Sequence, residues 1–263
     1  MTLSKMWKKS RSKMLVILLT LSTLILLALF ISVFLKTQHR CVVHLCFDEG
    51  AGNIAADLSG NNNYGTIYGG AVREVGVSGN CIVLDGVDNY VVILNSTSLS
   101  FDKSEGSITF WIKPYTKAAG EYQNLVMDSN WGPVPNGGIE FALQPDGDLF
   151  YYPSQGGGKN YALVTDPLVN NVWQFIGVTW KYSTKQVLLY RNGVELIPSA
   201  TNIDVEWNST AITGDWHIGG QTAISAVSFR GFNGCLDEFK VYNYALSGPK
   251  VLEEFSQNNN AVA

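Results

Sequence analysis

From Met14 to Leu35 every residue is apolar, Ser or Thr, with no charge, Gly or Pro. At about 1.5 Å per residue such a run reaches roughly 33 Å as a helix, against a hydrocarbon core of roughly 30 Å, so it predicts a transmembrane segment over 14–35. Lys5, Lys8, Lys9, Arg11 and Lys13 precede it, and only Lys36 and Arg40 follow closely. That bias predicts a cytoplasmic basic tail over 1–13, a single-pass anchor in the cell membrane, and an extracellular C-terminal domain after a short linker over 36–42. The competing reading is a cleaved signal peptide, which needs a shorter apolar run and small residues at a cleavage site. Lys36-Thr37-Gln38-His39-Arg40 supplies neither.

Beyond the linker the period drops to two. Short alternating runs at 43–47, 82–84, 90–94, 107–112, 139–143, 149–152, 172–180, 187–190, 216–218 and 236–242 are punctuated by Gly, Asn, Asp or Pro, the pattern of an antiparallel β-sandwich and not of βαβ units. Asp146-Gly147 and Asn192-Gly193 suit hairpin turns that need positive φ. In Trp173-Gln174-Phe175-Ile176-Gly177-Val178-Thr179-Trp180 both alternating sets carry large apolar groups, which predicts a central strand buried on both sides. A short helix is expected over Ser247 to Phe255, with Ser247 as cap and a stripe of Leu252 and Phe255. The folded domain is placed at 43–257 and a polar tail at 258–263.

The charge balance is mildly acidic, with 18 Lys and Arg against 22 Asp and Glu, and the basic tail holds many of the cations. Nucleic acid is therefore not an expected partner, because phosphate binding needs clustered cations. Cys41, Cys46, Cys81 and Cys235 would lie in an oxidising compartment, where an even number favours disulfides; their pairing is open. Asn95-Ser96-Thr97 and Asn208-Ser209-Thr210 are glycosylation sequons.

Two acidic motifs bracket the domain: Phe47-Asp48-Glu49-Gly50-Ala51-Gly52, leading to Asp57-Leu58-Ser59-Gly60-Asn61, and Gly231-Phe232-Asn233-Gly234-Cys235-Leu236-Asp237-Glu238-Phe239. Carboxylates beside Gly and Asn suggest that the two ends offer oxygen ligands to one hard cation. Together with Gly79-Asn80-Cys81-Ile82-Val83-Leu84-Asp85-Gly86, Ile108-Thr109-Phe110-Trp111-Ile112, Leu189-Tyr190-Arg191-Asn192-Gly193 and Tyr242-Asn243-Tyr244-Ala245-Leu246-Ser247, these motifs resemble the laminin-G-like jelly-roll domains of the concanavalin A-like lectin and glucanase superfamily. The resemblance runs from about Val43 to Phe255. It implies an all-β, two-sheet antiparallel jelly-roll sandwich, frequent calcium binding, and ligand binding more often than catalysis.

On that resemblance the calcium ligands are Asp57 and Asp237, with Thr66 and the carbonyls around Asn61 and Asn62. The alternative is that Asp57 caps its own turn and Asp237 pairs with a nearby cation. A ligand surface is expected at Trp131, with Asp128 and Asn130, in a Gly- and Pro-rich loop, and at Tyr151 and Tyr152, of which one must point away from the core. The ligand expected there is a glycan or a cell-surface glycoprotein; the alternatives are a protein partner, or aromatics that merely cover the sandwich edge.

Catalysis is not expected, and a polysaccharide-cleaving enzyme is the third alternative. The Glu-x-Asp-x-x-Glu arrangement that places two acids across a scissile bond is absent from the sequence, and Glu140 and Asp146 stand alone. Asp237 and Glu238 are adjacent, hence on opposite sheet faces. His39, His44 and His217 form no Ser-His-Asp or zinc-ligand spacing.

Overall fold

Two antiparallel sheets are stacked through one apolar layer. The computed structural model describes residues 13–15, 17–29, 40–100, 104–116, 121–128, 139–152, 160–198, 200–203, 214–220 and 230–258. The eight-stranded sheet runs in the order β14 (Val194–Leu196), β13 (Gln186–Arg191), β12 (Gln174–Lys181), β7 (Glu105–Pro114), β17 (Asn233–Tyr242), β5 (Asn80–Asp85) and β4 (Val72–Val75), with β1 (Cys41–Leu45) also paired to β17. The nine-stranded sheet runs β15 (Ala200–Ile203), β11 (Asn160–Val164), β10 (Leu149–Tyr152), β9 (Glu140–Leu143), β8 (Gln123–Asp128), β16 (Trp216–Ile218), β6 (Tyr90–Ile93), β3 (Gly65–Tyr68) and β2 (Ile54–Ala55). This is the expected all-β, two-sheet sandwich.

Alternation within the strands sorts the side chains. Ile108, Phe110, Ile112, Ile176, Val178 and Trp180 of the eight-stranded sheet face Val91, Val126, Phe141, Tyr151, Trp216 and Ile218 of the other, all essentially unexposed. The expected two-sided strand is β12, whose Phe175 faces outward into a second cluster with Trp111 and Tyr190. That outer face is closed by the C-terminal helix (Gly248–Asn258), which buries Val251 and sets Phe255 at 5.6 Å from Trp111. The helical stripe is thus Val251 and Phe255, whereas Leu252 is exposed and rests on Gly193.

Asn192 and Gly193 both have positive φ, as the hairpin requires, and Asn192 Oδ1 accepts the Phe175 N–H at 2.9 Å. Gly147 likewise has positive φ, and Gly147 N–H donates to the Gln144 carbonyl at 2.9 Å. Six residues before the C-terminal helix, Tyr242 closes β17. A polar ladder ties that strand to β1 and to the helix: His44 Nε2 lies 2.8 Å from Glu238 Oε2, and Lys240 Nζ lies 2.9 Å from Glu254.

Residues 1–39 form a unit apart from 40–263. In it, residues 13–15 and 17–29 are helical, and Leu15, Leu18, Leu24 and Leu26 are all more than half exposed. Of the expected span over 14–35, residues 16 and 30–35 lie outside the described residues, and among the described residues no helix is long and apolar enough to cross a membrane.

Candidate functional site

The outer face of the nine-stranded sheet is read most directly across the strands. Tyr152 is opposite Glu140, Glu140 opposite Met127, Met127 opposite His217, His217 opposite Val92, Val92 opposite Thr66 and Thr66 opposite Ile54. Directly opposed residues share a face, so these seven side chains form one row across the sheet. Their sequence neighbours Tyr151, Phe141, Val126, Ile218 and Val91 point into the core.

Aromatic rings flank the row. On one side Tyr68 stacks on Tyr90 at 5.0 Å with an 11° tilt, and Tyr90 lies 6.1 Å from His217, so that Tyr68, 44% exposed, is the open end of a ring column. Phe150 and Tyr152, both half-buried, stack at 6.1 Å on the other side. From β10 to β3 is five strand spacings, roughly 24 Å.

Polar chemistry sits in the middle. His217 is 7% exposed, and its Nδ1 has no hydrogen-bond partner among the described residues. Burial lowers its pKa, against the opposing pull of Asp215, so the ring is held neutral. Glu140 is raised by burial, with the Arg230 charge opposing, and Arg230 Nη1 lies 3.5 Å from its carboxylate. The guanidinium in turn covers the Tyr122 ring at 5.2 Å. The face therefore offers ring surfaces at both flanks and a nearly neutral set of donors and acceptors between them.

Several expected site residues take other roles. Tyr151 is a core residue, unexposed, stacked on Trp180 at 5.5 Å and edge-on to Phe141 at 5.9 Å; its neighbour Tyr152 is the one that turns outward. Asp128 is fully buried at the end of β8 opposite Trp216, not on a ligand loop. Asn130, Trp131 and Asn208 lie outside the described residues. Asn95 is exposed after β6, with its Oδ1 accepting the Ser100 hydroxyl.

The residues expected to share a calcium ion are each engaged by donors of the chain itself. Asp57 Oδ1 accepts the N–H groups of His44 and Ser59, each at 2.9 Å, while Oδ2 accepts the Asn63 N–H and the Ser59 hydroxyl, each at 2.8 Å. Asp237, unexposed, accepts Val77 and Ser78 N–H on Oδ2 and Glu238 N–H on Oδ1. The two carboxylates thus face separate sets of N–H donors, which attract anions and repel cations. Asn61 Nδ2 donates to the Cys41 carbonyl, Asn62 is exposed at positive φ, and Thr66 belongs to the outer row. These five residues do not fit one oxygen cage, and calcium binding rests on the resemblance alone. Among the described residues no three His, Cys, Asp or Glu side chains are grouped to hold a metal.

A family model named Laminin_G_3, Concanavalin A-like lectin/glucanases superfamily, matches residues 85–252, more than half of the chain. The chain belongs to that family. No curated protein matches this Laminin_G_3 chain. Among solved structures, the binding domain of Paraclostridial Mosquitocidal Protein 1 is similar at 21% identity and a TM-score of 0.64, over 84% of this chain and 53% of that one. Domain 4 of AbnA, a GH43 extracellular arabinanase from Geobacillus stearothermophilus, solved in complex with arabinotriose, is similar at 18% and 0.56, over 82% and 98%. The binding domain of Botulinum neurotoxin DC, in complex with rat synaptotagmin II, is similar at 12% and 0.61, over 83% and 51%. The chain spans about half of each toxin domain and nearly all of the arabinanase domain. At these identities the likeness is one of fold.

Nothing in the sequence announces the outer row, because Glu140 and His217 are isolated polar residues in apolar strands. Only the register through Met127 brings them together.

Proposed function

We propose that this Laminin_G_3 domain is a non-catalytic module that binds a neutral carbohydrate chain along the outer face of its nine-stranded sheet. The observation that carries the reading is the stacked column Tyr68–Tyr90–His217, which ends in an exposed ring on the face that also carries the Arg230–Glu140 pair. A sugar presents apolar C–H faces and hydroxyls; the first pack on tyrosine, and the second meet the Arg230–Glu140 pair. Two structural relatives support a binding role, one a toxin binding domain and the other an arabinanase domain solved in complex with arabinotriose.

The same face argues against turnover. Glu140 is the row's carboxylate, it is paired with Arg230, and His217 lies two strands away, about 10 Å at Cα. Retaining hydrolysis needs two carboxyl groups at about 5–5.5 Å.

Calorimetric titration with neutral oligosaccharides, beginning with arabinotriose, tests the proposal. Tyr68→Ala is expected to weaken binding about tenfold, and His217→Ala similarly, with the fold intact by circular dichroism. Binding indifferent to both variants would displace the site. A glycosylated protein receptor is the second reading, since one relative is solved with synaptotagmin II; pull-down of a protein whose binding survives enzymatic deglycosylation would favour it.

A further inference from the structure

Cys235 of β17 is directly opposite Val83 of β5. Cys81 precedes Val83 by two residues and so shares its face. The two thiols are therefore diagonal neighbours on one sheet face, and Tyr115 Oη lies 3.0 Å from Cys235 Sγ. Both cysteines are fully buried. The other two lie elsewhere: Cys41 is opposite Tyr242, seven residues along β17 and roughly 20 Å from Cys235, beyond the reach of about 7 Å between Cα atoms that a disulfide allows. Cys46 follows β1 among the charges of Asp48, Glu49 and Glu238.

We propose that Cys81 and Cys235 are a redox pair that closes to a disulfide under oxidising conditions, fastening β17 to β5 and leaving Cys41 and Cys46 as thiols. Cys235 is the attacking sulfur. The neighbouring Cys81 thiol favours its thiolate most, burial opposes, and Tyr115 with Lys113 adds to the first effect. The thiolate attacks one sulfur of a small-molecule disulfide such as oxidised glutathione, expelling one glutathione thiolate and forming a mixed disulfide. Cys81 then loses its proton, attacks the Cys235 sulfur and releases the second glutathione thiolate, so two electrons pass from the pair to the reagent. Access is through β4, the edge strand whose Glu74 is opposite Cys81 and whose Val72 and Val75 are exposed; edge strands open locally before the core does.

The test incubates the full chain in mixtures of reduced and oxidised glutathione, both natively and during refolding from denaturant. Free thiols are then blocked in acid-quenched samples and the peptides mapped by mass spectrometry. The expected product joins the Cys81 and Cys235 peptides, with Cys41 and Cys46 alkylated. Oxidation raises the thermal midpoint by on the order of 5–10 °C, as closing a loop of about 150 residues would. Cys81→Ala and Cys235→Ala each abolish both the cross-link and the shift. Four alkylatable thiols after oxidative refolding, or a bridge to Cys41 or Cys46, would overturn the pairing; this map uses the unmutated chain and does not depend on the variants folding.

Discussion

Replacing Asp57 by Ala separates a turn cap from a calcium ligand. The substitution strands three backbone N–H groups, of His44, Ser59 and Asn63, that now donate at 2.8–2.9 Å. At about 1 kcal/mol net for each, the loss is about 3 kcal/mol. A folded unit of this size loses about 2–4 °C per kcal/mol, so the midpoint should drop by about 6–12 °C. The assay is thermal unfolding of both proteins in excess calcium and in excess chelator. A cap gives the same drop in both media and a wild-type midpoint indifferent to chelator, because the donors belong to the chain. A ligand bound only to the native state would stabilise wild type in calcium alone. Wild type falling in chelator to the midpoint of an unresponsive Asp57→Ala would refute the cap.

Two further outcomes follow from buried groups. Burial pushes the Asp237 carboxyl up to about 7, against the N–H groups of Ser78 and Val77, so the native state holds this proton longer than the unfolded chain does. Its stabilising contribution is full below about pH 4 and is lost as pH rises through about 7, so the midpoint of Asp237→Asn relative to wild type should climb across that window in thermal melts. A decline over the same range would contradict the assignment. Tyr151→Phe removes a fully buried hydroxyl without a hydrogen-bond partner among the described residues; denaturant unfolding should show a gain of about 1 kcal/mol, with oligosaccharide binding unchanged. A loss of binding would return Tyr151 to the ligand surface.

The sandwich was legible where one face of a strand is apolar or both are, as in β7, β12 and β17. It was not legible in β8, Gln123-Asn124-Leu125-Val126-Met127-Asp128, which is buried along its whole length and mixes polar residues with apolar ones without alternation. The edge strand β4, Val72-Arg73-Glu74-Val75, is largely exposed, so burial left little imprint on it. Asp57 shows the limit at a site. The motif Asp57-Leu58-Ser59-Gly60 reads equally as a cap or a cation ligand, and the choice depends on the N–H groups of His44 and Asn63, which arrive from outside the motif. The outer row is a product of register between strands far apart in sequence, which residue spacing along one strand does not encode.

The central claim is that ligand lies on the row from Tyr152 to Ile54. A crystal structure of the chain soaked with a bound oligosaccharide tests it most directly. The expected result is sugar density against Tyr68 and Tyr90, with a hydroxyl within about 3 Å of the Arg230 guanidinium; density confined to the helix-covered face of the eight-stranded sheet would contradict it.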